Sequence, residues 1–228
     1  MDILNPINLI HSREEIKQNW LAKTKFCCMV VSNPNSKKRL EFFKNLSEFK
    51  QVDSGGAVLN NIGGRVKNKL EFIKDYKFVI AFENSSYEGY TTEKILEPIS
   101  MNCIPIYWGN KLVDKDFNPK RFINYDSFKN EKELFEKLTE IENNIEIAVD
   151  ILIQPVFSED NYTIQSEKLK ILNFFEFIFN ANQRPIAKSN MRYIHLIKIN
   201  INRLIKIRHS KYFYLKNYKR FIFKLFKK

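Results

Sequence analysis

Several common sequence signals are scarce in this chain of 228 residues. It has three cysteines, Cys27, Cys28 and Cys103, and no CxxC pair. Such a small and odd number argues against a disulfide framework and favours buried free thiols in a reducing compartment. The three histidines are scattered along the chain, and we predict neither a zinc site nor any other dedicated metal site.

Signals for phosphate loops and membrane spans are missing as well. The chain has six glycines and contains neither GxGxxG nor GxxxxGK[ST], which argues against a classical dinucleotide fold and a P-loop. No run of about 18 apolar residues predicts a membrane span. The N-terminus lacks the basic and apolar regions of a signal peptide, so the expected location is the cytoplasm.

Acidic residues are absent from the last part of the chain. Residues 184–228 contain 14 Lys and Arg but no Asp or Glu, which leaves 24 basic and 26 acidic residues in the remainder. The sequence therefore predicts a near-neutral globular body that carries a strongly basic tail.

The body alternates apolar runs with helical patterns. Apolar runs typical of strands buried on both faces lie at Lys25–Ser32, Lys77–Phe82, Ile104–Trp108 and, more weakly, Arg121–Tyr125. Helical spacing lies at Ser36–Phe49, Val66–Tyr76, Thr91–Met101, Asn130–Asn143 and in the Phe-rich stretch that ends at residue 180. The glycine-rich segment from residue 52 to 64 is predicted to be a loop. This alternation predicts a doubly wound α/β domain with a parallel sheet at 25–180, between a lead-in helix or linker at 1–24 and the tail at 184–228.

Polar stretches follow the predicted strands, where ligands bind in sheets of this kind. They are "SNPNSKKR", "ENSSYEGYTTEK" and "WGN". The second contains an anomaly, because Lys94 falls in the first turn of a predicted helix with Thr91 as N-cap, where the helix dipole disfavours a cation. A phosphate at this helix end would resolve the anomaly, since backbone N–H groups and the ammonium would bind it together.

A second cation, Arg39, follows the first strand. Its fork-shaped guanidinium suits another phosphate, so Arg39 and Lys94 on adjacent loops together fit a diphosphate. The alternative for both residues is a solvated surface charge.

Several segments carry a family resemblance. The stretches "FVIAFENSSYEGYTTEKILEP", "IPIYWGN" and "KDFNPKRFINYDSF" resemble the C-terminal donor domain of the glycosyltransferase family 10 α-1,3/4-fucosyltransferases. The earlier segments "FCCMVVSNPN", "VDSGG", "NNIGG" and "NKLEFIKDYKF" resemble the same family in order and spacing. The resemblance spans residues 25–128.

The resemblance implies the Rossmann-like C-terminal half of a GT-B glycosyltransferase. It also implies transfer of fucose from GDP-fucose, with inversion, to a glycan that contains N-acetylglucosamine. Arg39 and Lys94 would hold the diphosphate, and Asn84 and Tyr90 would contact the nucleotide sugar. Glu93 would lie near the fucose or ribose and stabilise positive charge in the transition state. No cofactor is implied, and a divalent ion bound through the diphosphate is compatible with this site.

Three of these residues also have a purely structural explanation. Glu93 would favour the helix N-terminus, Asn84 would suit an Asx turn, and Tyr90 would suit a packed aromatic with a solvated hydroxyl.

The resemblance further implies a preceding domain that binds the acceptor and supplies a general base. Only 24 residues precede the first matched strand, so we expect donor binding but weak transfer by this chain alone. A separate N-terminal acceptor-domain fragment is then an expected partner. The alternative is a non-catalytic nucleotide-sugar-binding or membrane-associated remnant.

The basic tail has apolar residues in one heptad frame. They are Ile194, Ile197, Ile201, Leu204, Leu215, Tyr218, Ile222 and Leu225. An apolar stripe with basic flanks is typical of a helix on an anionic membrane, which predicts peripheral association with the cytoplasmic face. A basic nucleic-acid-binding module is a distant alternative that no motif supports.

Overall fold

The computed structural model describes residues 12–158, 164–181 and 199–202. Within these residues the strands are β1 (Lys25–Met29), β2 (Val52–Ser54), β3 (Tyr76–Phe82), β4 (Ile104–Trp108) and β5 (Ile123–Asn124). The helices are α1 (Arg13–Ala22), α2 (Lys37–Phe49), α3 (Lys69–Ile73), α4 (Glu93–Ser100), α5 (Glu131–Asn143), α6 (Ile145–Leu152) and α7 (Ile164–Phe179). The chain divides into two compact units, Met1–Glu167 and Lys168–Lys228.

The sheet of the first unit is parallel throughout, with strand order β2-β1-β3-β4-β5. This order confirms the predicted doubly wound α/β fold. The chain passes from β2 on one side of β1 to β3 on the other, so the winding direction reverses between β1 and β3. Ligands bind beyond the carboxyl ends of the strands at such a switch point.

Strand β3 shows why the apolar runs are continuous. Every side chain from Phe78 to Phe82 is buried, because helices cover both faces of the sheet. On one face, Phe78 and Phe82 join a core with Trp20 of α1 and Phe42 of α2. On the other, Ala81 packs with apolar residues of α4 and β4.

Helix α1 belongs to this core. Ser12 caps it by accepting a hydrogen bond from the backbone N–H of Glu15 at 3.2 Å. Ile16 and Trp20 are buried, and the Trp20 ring meets Phe78 edge to face at 5.8 Å between centroids. The part of the lead-in that the structure describes therefore supplies core side chains.

Several elements differ from those predicted. Strand β2 lies inside the predicted glycine loop, and α6 was not predicted. Helix α3 is shorter than Val66–Tyr76, because the Asn68 side chain caps it by accepting from the N–H groups of Leu70 and Glu71.

All three cysteines are free and buried, as predicted. Burial raises the pKa of each thiol, so they remain protonated and unreactive in the folded state.

The second unit contains most of α7, and many apolar side chains of this helix are exposed. They are Leu169, Ile171, Leu172, Phe174, Phe175, Phe177 and Phe179. No helix among the described residues is long and apolar enough to cross a membrane. The predicted tail, apart from residues 199–202, lies outside the described residues.

Candidate nucleotide-binding site

The polar residues predicted to follow the strands do meet at the carboxyl edge of the sheet. Asn33 follows β1, Glu83 and Asn84 follow β3, and Asn110 follows β4. This edge includes the switch point between β1 and β3, which is where a nucleotide binds in doubly wound sheets.

Arg39, in the first turn of α2, links the loop after β1 to the end of β3, at the switch point. One terminal nitrogen, Nη1, donates to the carbonyl of Phe82 at 3.2 Å and to Oδ1 of Asn84 at 3.0 Å. The other, Nη2, donates to the carbonyl of Asn33 at 2.9 Å. Arg39 is 1% exposed, so the solvated-charge alternative is wrong for this residue. Burial lowers its pKa, and the charge of Glu83 partly opposes that shift.

Lys94 lies in the first turn of α4, as predicted, but its charge is already neutralised by the protein. Its Nζ donates to Oε2 of Glu83 at 3.0 Å and to Oγ1 of Thr92 at 2.8 Å. Only 17% of its side chain is exposed, which rejects the solvated alternative here too. Burial alone would lower the pKa of Lys94, but the hydrogen bond and charge of Glu83 outweigh it and the pKa is raised.

The start of α4 differs by one position from the prediction. Its N-cap is Thr92 rather than Thr91, because the Thr91 hydroxyl accepts from Nδ2 of Asn110 at 2.9 Å. The Thr92 side chain makes no capping bond. Its hydroxyl donates to Glu83 and is therefore not used to cap the N–H groups of the first helical turn.

Glu93 and Tyr90 are more exposed to solvent than Lys94 and Glu83. The Glu93 side chain is 54% exposed, with Oε1 3.6 Å from Nζ of Lys94. Burial would raise the pKa of Glu93, but its own backbone N–H and the charges of Lys94 and Lys69 outweigh this, so the pKa is lowered. Glu93 is thus an anion at neutral pH. Tyr90 is 38% exposed, which gives its ring access to a ligand.

Asn110 fixes the loop between β3 and α4. Its Oδ1 accepts from the N–H groups of Gly89 at 3.0 Å and Leu112 at 2.9 Å. Its own N–H donates to the Tyr107 hydroxyl at 3.1 Å. The loop that carries Tyr90 is therefore held against the end of β4.

The structure brings the five predicted site residues to one edge in two groups. Arg39 bonds to Asn84, while Lys94 lies beside Glu93 and within electrostatic range of Tyr90. Glu83 connects the groups, since it binds Lys94 and acts electrostatically on Arg39.

Sequence reasoning missed Glu83. The available signal was a carboxylate placed directly after a buried apolar run, where it needs a nearby cation as a partner.

The described residues contain no group of three His, Cys, Asp or Glu that could hold a metal ion. One Asp-x-Asp triplet, Asp114 to Asp116, does occur. It lies in a helical turn after β4 and is not part of such a group.

A doubly wound parallel sheet with two cations near its switch point is an α/β architecture in which nucleotides commonly bind. The family described as "Glycosyltransferase family 10 (fucosyltransferase) C-term" matches residues 20–148. The chain therefore belongs to glycosyltransferase family 10, as the motifs predicted.

Individual relatives agree with this assignment. The chain is 40% identical over 160 residues to the alpha-(1,3)-fucosyltransferase FucT of Helicobacter pylori, a match that covers 68% of this chain and 34% of the relative. The solved structure of an alpha1,3-fucosyltransferase with GDP-fucose matches with a TM-score of 0.67 and 37% identity, over 75% of this chain and 54% of that one. The structure with GDP gives the same values. The chain thus spans about a third of the curated relative and about half of the solved chains.

Proposed function

We propose that this chain is the donor-binding part of an α-1,3/4-fucosyltransferase and binds GDP-fucose at the carboxyl edge of its sheet. The observation that carries the proposal is Lys94, a partly buried cation that Glu83 holds at the N-terminus of α4, where the Thr92 side chain makes no capping bond. Helix N–H groups and an ammonium at one position form a site for phosphate. Two similar solved chains contain GDP or GDP-fucose, which supports the choice of nucleotide.

The proposed roles follow the position of each residue. Lys94 binds the diphosphate, Tyr90 and Asn84 contact the nucleotide sugar, and Glu93 accepts hydrogen bonds from sugar hydroxyls. Arg39 contributes positive charge and holds the loops after β1 and β3 together. Glu93 is anionic and solvent-accessible, which suits it to stabilise the positive charge that develops as fucose leaves the diphosphate.

Transfer also requires an acceptor hydroxyl and a base that removes its proton. We propose that these functions belong to a part of the enzyme outside the described residues, with a glycan as acceptor. A divalent ion on the diphosphate would add to the charge of Lys94 and Arg39 without a dedicated protein site.

Calorimetry or ligand-induced thermal shift tests donor binding. GDP and GDP-fucose are expected to bind the chain, and UDP much more weakly. Lys94→Ala should weaken GDP binding by about 1.5–3 kcal/mol, the usual scale for hydrogen bonds that involve a charged group. Glu93→Gln should leave GDP affinity nearly unchanged and act mainly on GDP-fucose.

Lys132→Ala is a matched control. Helix α5 begins with Glu131 and Lys132 just as α4 begins with Glu93 and Lys94. The Lys132 side chain is 86% exposed and, within the described part of the chain, pairs only with Glu136 at 3.9 Å. This variant should bind GDP like the parent chain. Equal and negligible effects of GDP and UDP on folded protein would contradict the proposal.

A further inference from the structure

Glu83 is a buried carboxylate whose backbone is fixed on both sides. Its N–H donates to the carbonyl of Trp108 at 2.8 Å, and its carbonyl accepts from the Ser36 hydroxyl at 3.3 Å. The first bond ties Glu83 to the end of β4 and the second ties it to the N-cap of α2. The side chain is 0% exposed. Its orientation is therefore set by the fold and not by solvent.

Among the residues that the structure describes, the carboxylate binds only groups at the start of α4. It accepts from the Thr92 N–H at 2.8 Å, from the Thr92 hydroxyl at 2.8 Å and from Nζ of Lys94 at 3.0 Å. The Thr92 hydroxyl in turn accepts from Nζ of Lys94. Glu83, Thr92 and Lys94 thus form a closed hydrogen-bonded ring.

This ring uses two of the three N–H donors of the Lys94 ammonium. The third has no hydrogen-bond partner among the described residues, although Oε1 of Glu93 forms an ion pair with the ammonium at 3.6 Å. An ammonium held by two bonds has a defined direction for its third donor. A flexible lysine would have to lose side-chain entropy before it could bind a phosphate in that direction.

Gly109 lies against the Glu83 side chain at a position where any larger residue would clash with it. A Cβ atom at position 109 would lie 2.5 Å from Cγ and 2.8 Å from Cβ of Glu83. The residue also has a φ of +156°, which disfavours other side chains. The glycine of "WGN" therefore allows the chain just after β4 to pack directly against Cβ and Cγ of Glu83.

We infer that Glu83 is a positioning residue, which holds the Lys94 ammonium at the N-terminus of α4 with one donor directed to the donor diphosphate. This inference rests on the proposed GDP-fucose site. It assigns to Glu83 a role that acts through Lys94 and involves no contact with the ligand. The raised pKa of Lys94 agrees with a permanently charged ammonium in this ring.

The first experiment needs no nucleotide. The rate of reductive methylation at Lys94 is measured by mass spectrometry in the parent chain and in Glu83→Gln, with Lys132 as internal reference. The amide keeps the shape of the side chain but cannot bind the ammonium and the Thr92 groups together. We expect Lys94 to be protected in the parent chain and labelled several-fold faster in the variant. Unchanged labelling would overturn the inference.

The second experiment is a double-mutant cycle on GDP affinity. Glu83→Gln should weaken GDP binding about tenfold or more, the loss of one charge-assisted hydrogen bond. In a Lys94→Met background the same substitution should change affinity less than about twofold, because the lysine it positions is gone. An equal loss in both backgrounds would show that Glu83 supports the loop in general, and would overturn the inference.

Gly109→Ala provides a second route that keeps the carboxylate. Gly64 shares its φ of +156° but has no atom within 4 Å of an added Cβ, so Gly64→Ala is a matched control. We expect Gly109→Ala to expose Lys94 to labelling and to weaken GDP binding, and Gly64→Ala to do neither. If both variants expose Lys94 and weaken GDP binding equally, backbone strain explains these effects and the inference is overturned.

The measurements of GDP affinity also separate this inference from the proposed function. If the parent chain does not bind GDP, the proposed function is wrong, and so is the role of the ring in phosphate binding. GDP binding that Lys94→Met weakens but Glu83→Gln does not would keep the proposed function and remove only the role of Glu83.

Discussion

Arg121 is a buried cation without a hydrogen-bonded partner for its charged end. It is 1% exposed, and in the described part of the chain neither Nη1 nor Nη2 has a hydrogen-bond partner. Burial lowers its pKa to about 10, with a small opposite effect from the Cys103 thiol. The unfolded chain therefore binds this proton more tightly than the folded chain does. Arg121 is expected to destabilise the fold at neutral pH, and the penalty should diminish as pH rises through about 10.

Arg121→Met should therefore stabilise the protein. An apolar side chain of similar length removes the buried charge and its unsatisfied donors, for a gain of about 1–3 kcal/mol in the free energy of unfolding. Urea denaturation followed by circular dichroism at pH 7 measures this change. Lys120→Met, at the neighbouring exposed position, should change stability by less than about 0.5 kcal/mol. A loss of stability in Arg121→Met would indicate that the guanidinium has a partner in the native protein.

The sequence was enough to predict several residues of the candidate site, but not which of them bond to one another. Lys94 was recognised because a cation in the first turn of a helix is unusual for isolated local structure. Arg39 was recognised because its guanidinium suits a second phosphate near the neighbouring strand. Their partners could not be predicted in the same way. Glu83 meets Lys94 only when the end of β3 and the start of α4 pack together, and Asn84 meets Arg39 across 45 positions of sequence. Such pairing depends on tertiary structure, which local patterns do not encode.

At the scale of elements, α1 has an importance that its sequence does not reveal. Its polar composition resembles that of a linker, yet Trp20 is 1% exposed and lies in the main core, while its neighbour Leu21 is 66% exposed. Trp20→Ala should lower the free energy of unfolding by about 3–5 kcal/mol, the usual cost of removing a buried aromatic side chain.

Leu21→Ala is the control for that loss. It removes an exposed side chain from the same helix and should cost less than about 0.5 kcal/mol. Chemical denaturation followed by far-UV circular dichroism is suitable, because it does not depend on tryptophan fluorescence. Similar stability of the two variants would show that α1 does not pack on the core in solution.

Long and strongly patterned elements were predicted well, and short ones were not. Strand β4 has the predicted bounds, and α2 and α5 each begin one residue later than predicted. Strand β2 has three residues and precedes two glycines, so it has no periodicity to detect. It is a strand because it pairs with β1, as Cys27 does with Val52. Pairing of this kind is a property of the sheet and not of the segment.

At the scale of the whole molecule, the sequence divides into a nearly neutral body and a strongly basic tail. We propose that residues 184–228, with 14 cations and no carboxylate, dock on the cytoplasmic face of an anionic membrane. The exposed apolar side chains of α7, such as Leu172 and Phe179, precede this segment in sequence and support the proposal. If the tail forms an amphipathic helix on the membrane, its apolar side chains would insert shallowly while its cations bind lipid headgroups.

Removal of residues 184–228 tests the tail. Sedimentation with vesicles should show that the full chain binds phosphatidylserine-containing vesicles, that salt weakens binding, and that the truncated chain stays in solution. GDP affinity should be unchanged by truncation, since every proposed donor residue precedes residue 184. RNA and DNA are tested in parallel. Tight nucleic-acid binding without vesicle association would contradict membrane docking and leave the donor site unaffected.

Because Arg39 joins the loop after β1 to the end of β3, the site depends on the correct register between these two strands. A parallel sheet with apolar residues on both faces tolerates many side-chain exchanges, so a slip of β3 by one residue would still bury hydrophobic surface. Such a slip moves the end of the strand by about 3.3 Å. The bonds from Arg39 to Phe82 and Asn84 are 3.2 and 3.0 Å long and would not survive it. Only correctly registered molecules would then present the two cations and Glu83 at one edge, so a misaligned chain could be compact and yet unable to recognise a nucleotide.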